Sequence, residues 1–285
     1  MWIVTDGPVL VFGGCYSNLQ ATGALLAEAA RRGIPPERMV CTGDVVAYGA
    51  DAAATVALVR DTGMPVVMGN CEEQLAARAA DCGCGFTPGS ACDLLSGAWF
   101  AHATAALDLA ALDWMGALPR QIDLRLGRFR LLAVHGSAAA NNEFAFASTG
   151  GVVPPGYDGL IAGHCGLPFT RTIEGRLWHN SGAVGMPAND GTPRGWFSVL
   201  SPTPDGLAIE HVAFDYDHAA AAGAMREAGL PEAYAGALGT GLWPSCDVLP
   251  APELAARGVP LIPATLLVSL PPTGAGRDEG GWPFP

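Results

Sequence analysis

Short apolar runs alternate with helical stripes along the first part of the chain. Pro8 to Phe12 reads as a strand running into Gly13-Gly14-Cys15-Tyr16-Ser17-Asn18. Leu19 to Arg32 carries Leu19, Leu25, Leu26 and Ala29-Ala30 near helical spacing, and Gly33 marks its stop. Met39 to Thr42 reads as a second strand, ending in Gly43-Asp44. A loop and an amphipathic helix through Arg60 follow. An apolar strand, Met64 to Met68, then ends in Gly69-Asn70-Cys71-Glu72. Strand, helix, strand, helix, strand predicts parallel βαβ units. In open α/β sheets ligands bind past the carboxyl ends of the strands, so Asp44 and Asn70 stand where chemistry is expected.

Further on, Cys71 to Ala80, Ser90 through His102 and Leu107 to Leu118 read as helices, the last stopped by Pro119. From Gln121 the period changes to two. Ile122, Leu124 and Leu126 alternate, and Leu131 to Val134 is an apolar strand ending in His135-Gly136-Ser137. Gly159 to Ala162 ends in Gly163-His164. Phe169–Ile173 and Arg176–His179 form a hairpin around Glu174-Gly175, and Trp196–Leu200 and Leu207–Phe214 are later strands. Tyr216 to Ala228 reads as a helix closed by Gly229. A helix-rich first half and a strand-rich second half predict an α/β fold of two packed sheets with helices outside. Pro271 to Pro285 reads as a mobile or surface-hugging tail. The apolar run Leu261 to Leu270 is either an intermolecular arm that would support an oligomer or a segment packed on its own domain.

The chain has 285 residues and a net charge of −12. That length supports one large domain or two small ones, and a sizeable core. The acidity excludes nucleic acid as a general partner, because no basic patch is present to neutralise phosphates. A phosphorylated small molecule remains compatible, since an acidic surface can surround a locally positive metal site. Met1-Trp2-Ile3-Val4-Thr5-Asp6 has no basic stretch followed by an apolar core, and no run is long enough to span a bilayer. The expectation is a cytoplasmic protein without membrane contact, whose eight cysteines are reduced rather than paired in disulfides.

Four segments end a strand and then present a metal-competent side chain: Asp44, Asn70, His135 and His164. One carboxylate, one amide oxygen and two imidazoles suit Mn²⁺, Zn²⁺ or Fe²⁺. Glycine before three of them permits tight turns close to an ion.

Taken together and in order, Gly43-Asp44-Val45-Val46-Ala47-Tyr48-Gly49, Gly69-Asn70-Cys71-Glu72, Val134-His135-Gly136-Ser137 and Gly163-His164 resemble the motif series of the calcineurin-like metallophosphoesterases, in their small bacterial phosphodiesterase-like branch. Val9 to Ala21 resembles that family's opening strand and loop, and Asn180 to Gly185 with Asp190 to Arg194 its closing segment. The resemblance spans roughly residues 8 to 230. It implies a four-layer αββα sandwich of two mixed sheets flanked by helices, over residues 1–250. It also implies hydrolysis of phosphomonoesters or phosphodiesters at two metals. A Cys-containing helical insertion falls at about 76–118, and 251–285 forms a Pro/Gly-rich extension.

The departures from that pattern carry information. Where the family supplies an Asp and a His to its first metal, this chain has Gly14 and Tyr16. Where it places a second His in the last motif, this chain has Gly166. Every ligand private to the first metal is missing, while those of the second remain. The expectation is therefore a single-metal centre on Asp44, Asn70, His135 and His164, with a second metal doubtful. The family's proton donor after the Asn is Cys71 here, so Cys71 and Tyr16 are the catalytic candidates. Tyr16 either donates a proton or hydrogen bond, or merely fills the empty site. Asn18, Asn142 and Arg194 are candidates for substrate contact, Arg194 alternatively pairing with Asp190.

The cysteines offer a different chemistry. Cys15, Cys71 and Cys165 lie in three loops that converge on one cleft, with Cys82, Cys84 and Cys92 on an insertion expected to cover it. Cysteines one residue apart do not readily bond to each other, so Cys82 and Cys84 are expected as thiolate ligands or a redox pair. Two alternatives therefore stand beside a phosphoesterase. One is a catalytically impaired relative that binds a metal, ligand or partner. The other is a thiol-dependent redox or sulfur-handling protein.

Overall fold

The computed structural model describes residues 1–269. Two mixed sheets stack face to face. The six-stranded sheet runs, in spatial order, β1 (Trp2–Thr5), β4 (Gln121–Leu126), β5 (Phe129–Val134), β6 (Gly159–Ala162), β8 (Arg176–Ser181) and β7 (Pro168–Ile173). The five-stranded sheet runs β11 (Thr265–Val268), β10 (Gly206–Phe214), β9 (Gly195–Thr203), β2 (Val9–Phe12) and β3 (Met39–Cys41).

Side-chain alternation sorts the core. Val9 and Val11 of β2 pack between the sheets with Ile122, Leu124 and Leu131, while Leu10 and Phe12 turn to the other face. That other face is covered by α1 (Leu19–Arg31), α2 (Ala52–Thr62), α3 (Asn70–Ala76), α4 (Ala91–Ala106), α5 (Leu109–Gly116), α6 (His218–Glu227) and α7 (Glu232–Thr240), all of which bury residues in one cluster with it. α8 (Ala251–Ala255) buries none. The sandwich of two mixed sheets with helices is the one expected from the sequence. On the outer face of the six-stranded sheet, Leu132, Val134, Leu160 and Trp178 are covered by Ala145 and Val153 from an irregular segment rather than by a helix.

Topology positions the site. β2 and β3 are parallel, as are β5, β6 and β8. Their carboxyl ends deliver Gly13, Gly43-Asp44, His135, Gly163-His164 and Gly182, and a parallel bridge between Gly13 and Ala183 links the two sheets there.

Two local outcomes differ from the sequence expectation, and a third settles an alternative it left open. Met64–Met68 is not a strand; it makes one bridge, Val66 to Cys41. The Pro65 carbonyl accepts from Cys41 N, but Met68 N donates to the Pro119 carbonyl, which pulls the chain out of the sheet. β1 and α7 were not expected. Within the Leu261–Leu270 run, Thr265–Val268 form β11, antiparallel to β10, so this part pairs with its own sheet. Leu270 and the expected tail Pro271–Pro285 lie outside the described residues. Among the described residues, no helix is long and apolar enough to cross a membrane.

Candidate metal centre

Two loops approach so closely at the sheet edge that only glycine fits. Gly43 sits at φ 97°, and a Cβ there would lie 2.7 Å from Gly69 N and 2.8 Å from the His135 ring. The next residue, Asp44, is held in the left-handed region at φ 55°. For a non-glycine residue that conformation costs about 1 kcal/mol or more, so the surroundings must impose it. Glu72 does so. Its buried carboxylate accepts from Asp44 N at 2.8 Å, Val46 N at 3.1 Å and Gly69 N at 3.0 Å, locking the Asp44 loop to the Asn70 loop. The sequence reading quoted Glu72 in its motif without a role. Nothing in its spacing shows that it collects three amides from two loops.

The four expected ligands meet. His135 Nε2 lies 3.0 Å from Asn70 Oδ1, 3.0 Å from His164 Nδ1 and 3.3 Å from Asp44 Oδ2. All four side chains are buried. Their orientations are set from behind. The Thr42 carbonyl faces His135 Nδ1 at 2.7 Å, which places the proton on Nδ1 and a lone pair on Nε2. Asn70 Nδ2 donates to the Cys82 carbonyl at 2.9 Å, which turns Oδ1 inward. A lone pair thus faces a carboxylate oxygen, an amide oxygen and a second imidazole nitrogen. Acceptors converging on one point repel unless a cation stands among them.

The electrostatics agree. Against a burial penalty, Asp44 and the Thr42 carbonyl raise the pKa of His135, so a proton is drawn to the spot where a metal would sit. Burial pushes His164 down to about 3, helped by His135, keeping it neutral and ligand-competent. Asp44 is held below its ordinary value by the two histidines despite its burial. Burial and the neighbouring Asp44 push Glu72 up to about 7, against the pull of its amide donors. The donor set of one carboxylate, one amide oxygen and two imidazoles fits a divalent transition ion.

A cleft of about 70 Å³ opens onto this floor. Asp44 and His164 reach it, together with Tyr16, Cys84, Cys92 and Cys165. Tyr16 occupies the position opposite. A Cβ on Gly14 would lie 2.6 Å from its ring, and one on Gly166 would lie 3.5 Å from its hydroxyl. Burial holds the Tyr16 phenol well above its ordinary pKa.

The remaining candidates separate. Cys71 N donates to Asp44 Oδ1 at 3.3 Å, but Cys71 and Cys15 are buried and do not line the cleft. Burial pushes the Cys71 thiol well up, Cys165 up to about 12 and Cys92 upward, so in the metal-free protein these thiols stay protonated. Cys82 and Cys84, expected as free thiolates or a redox pair, are joined by a disulfide. A glycine between them, at φ 61°, lets the loop fold tightly enough for the bond. Asn142 Nδ2 donates to the Gly83 carbonyl at 3.0 Å and so braces this loop. Asn18 caps α1, accepting from Ala21 N at 3.0 Å, and does not line the cleft. Arg194 pairs with Asp190 at 3.1 Å and also stands outside it. His102 contacts the Ala50 carbonyl, and His179 is buried between the sheets.

No protein-family model matches the chain. It is 27% identical over 225 residues to the uncharacterized protein MJ0912 of Methanocaldococcus jannaschii, covering 73% of this chain and 88% of that one. A metallophosphoesterase from Sphaerobacter thermophilus superposes with a TM-score of 0.62 at 22% identity, over 84% of this chain and all of that one. The protein PH1004 from Pyrococcus horikoshii superposes with a TM-score of 0.64 at 16% identity, over 85% of this chain and all of that one. The chain shares the fold of these two structures. Its Asp44, Asn70, His135 and His164 meet at the carboxyl-end edge of the sheets.

Proposed function

We propose that this protein is a divergent, metal-dependent phosphoesterase with one divalent transition ion, Mn²⁺, Zn²⁺ or Fe²⁺, acting on a small phosphorylated molecule. The observation that carries the reading is the convergence of Asp44 Oδ2, Asn70 Oδ1 and His164 Nδ1 on His135 Nε2, with the fixed Thr42 and Cys82 carbonyls behind them. Asp44, Asn70, His135 and His164 would hold the ion. When bound, such an ion lowers the pKa of a water and polarises a phosphoryl oxygen. The chain supplies the rest. Asp44 and His164 form the floor that orients the ester, and the covering segments exclude bulk water. Tyr16 keeps its proton and stands in the same cleft, placed to donate a hydrogen bond to a phosphoryl oxygen.

A second reading is favoured by one observation. Tyr16 takes the space that a side chain at Gly14 would need and its hydroxyl reaches toward Gly166, so a phenol occupies the half of the site that would hold a second ion. A protein that binds metal and ligand without turnover is consistent with that filling. Elemental analysis, paired with phosphomonoester and phosphodiester assays across Mn²⁺, Zn²⁺ and Fe²⁺, separates the two. Metal-dependent turnover that disappears in Asp44→Asn supports the hydrolase. Stoichiometric metal with no turnover supports the binder.

A further inference from the structure

The cleft above the metal centre has an unusual charge balance for a phosphate site. None of the described arginines lines it, and the sequence contains no lysine at all. Several arginines are engaged elsewhere: Arg32 with Glu28 and Glu210, Arg130 with Asp123, Arg194 with Asp190 and Arg226 with Glu232. The positive charge available to a ligand is therefore that of the ion, reduced by Asp44. One divalent ion against one carboxylate leaves a single positive charge in a buried setting. A phosphomonoester is close to dianionic above its second pKa of about 6. A phosphodiester carries one charge and balances the site. An uncompensated charge in such a buried place is costly.

The walls point the same way. Phe86, Leu95, Phe144, Tyr234, Trp243 and Val248 face the cleft. Phe144 lies against His164, ring centroids 4.2 Å apart, and stacks toward Phe86 at 6.4 Å. Trp243 is fixed at both ends. Its indole N–H donates to the Pro187 carbonyl at 2.6 Å and its backbone N–H to Asn189 Oδ1 at 2.8 Å. With its polar group satisfied, the indole offers the cleft an apolar face in a set orientation. These side chains come from the 82–95 insertion, the loop after β5, and α7 with the segment following it. Of these parts only the loop after β5, which opens with His135, also carries one of the four metal ligands.

We infer that the cleft takes a monoanionic phosphodiester bearing a planar apolar or aromatic ester group, seated on the Phe144–Trp243 wall with its phosphate at the Asp44–His164 floor. This rests on the phosphoesterase reading for the floor but not for the wall.

The test is calorimetric titration of the full chain, with and without one equivalent of Zn²⁺, using three probes near pH 8. Methyl phenyl phosphate and phenyl phosphate share the aryl group and differ in charge. Methyl phenyl phosphate and dimethyl phosphate share the charge and differ in the aryl group. On the Zn²⁺ protein, methyl phenyl phosphate binds ~10-fold or more tightly than either of the others. Trp243→Ala and, independently, Phe144→Leu each remove ~5-fold or more of that preference while metal stoichiometry stays unchanged. Without metal, methyl phenyl phosphate still outbinds dimethyl phosphate. Equal binding of those two in both forms overturns the wall. Tighter binding of phenyl phosphate to the Zn²⁺ protein overturns the charge argument. Failure to take up Zn²⁺, with the aryl preference intact, overturns the phosphoesterase reading and leaves the wall standing.

Discussion

At the scale of single residues, Glu72 matters as much as the candidate ligands, although its carboxylate meets backbone amides and none of their donor atoms. It gathers amides from the Asp44 and Asn70 loops and holds Asp44 in a conformation that only a constrained backbone adopts. Glu72→Gln replaces an acceptor oxygen with a donor that faces N–H groups. We expect that change to weaken metal affinity by ~10- to 100-fold, read by competition with a chromophoric chelator, because outer partners orient ligands. It also lowers stability by about 1–3 kcal/mol, read by denaturant unfolding, since buried amides lose their acceptor. Gly43→Ala tests the same loop differently. Its Cβ would strike Gly69 and His135, so metal binding should fall by at least ~10-fold in a chain that still folds. The four candidate ligands were legible in the sequence because each ends an apolar run in a recognisable motif. Glu72's grip was not, because its three partners come from backbone that only the fold brings together. The burial of Cys71 and Cys165 was likewise not legible, because the sequence shows thiols near the cleft but not how deeply the fold encloses them.

At the scale of elements, the apolar pattern predicted most strands within a residue or two, and its failures are instructive. β1 was missed because only Ile3 of its side chains is buried, with Trp2 and Val4 exposed on a sheet edge. Met64–Met68 was over-read, because a buried apolar run does not reveal that Met68 N is bonded to Pro119 rather than to a strand. The period-2 run Ile122, Leu124, Leu126 was read correctly and fills the layer between the sheets. Leu124, fully buried there, sets a test of that layer. Leu124→Ala should destabilise the protein by ~2–5 kcal/mol in denaturant unfolding, with metal affinity per folded molecule unchanged. A loss of metal binding in the folded variant would show that the layer and the site are coupled.

At the scale of the whole molecule, the two sheets are also joined by a buried polar cluster. Thr170 on β7 contacts His179 Nδ1 at 2.9 Å and, across the sandwich, His211 Nε2 on β10 at 2.7 Å, with Ser198 beside His211. Burial lowers His179 well below its ordinary value, and lowers His211 from 6.5 to about 4. Both are neutral when folded and free to protonate when unfolded. The unfolded chain therefore binds more protons between about pH 6.5 and 4, and stability falls as pH drops through that window. The slope is about 1.4 kcal/mol per pH unit for each such histidine. Replacing His211 with Gln should flatten the acid limb of a pH–stability curve measured on metal-free protein. An unchanged slope would place the acid sensitivity elsewhere.

The account as a whole turns on one cation held by side chains from four strand ends. Anomalous X-ray scattering from crystals grown with excess Zn²⁺ measures that directly. We predict a single cleft peak per chain within about 2.0–2.2 Å of donor atoms from Asp44, Asn70, His135 and His164. A pair of cleft peaks, the second beside Tyr16 and Gly166, or no peak among the four side chains, would contradict it.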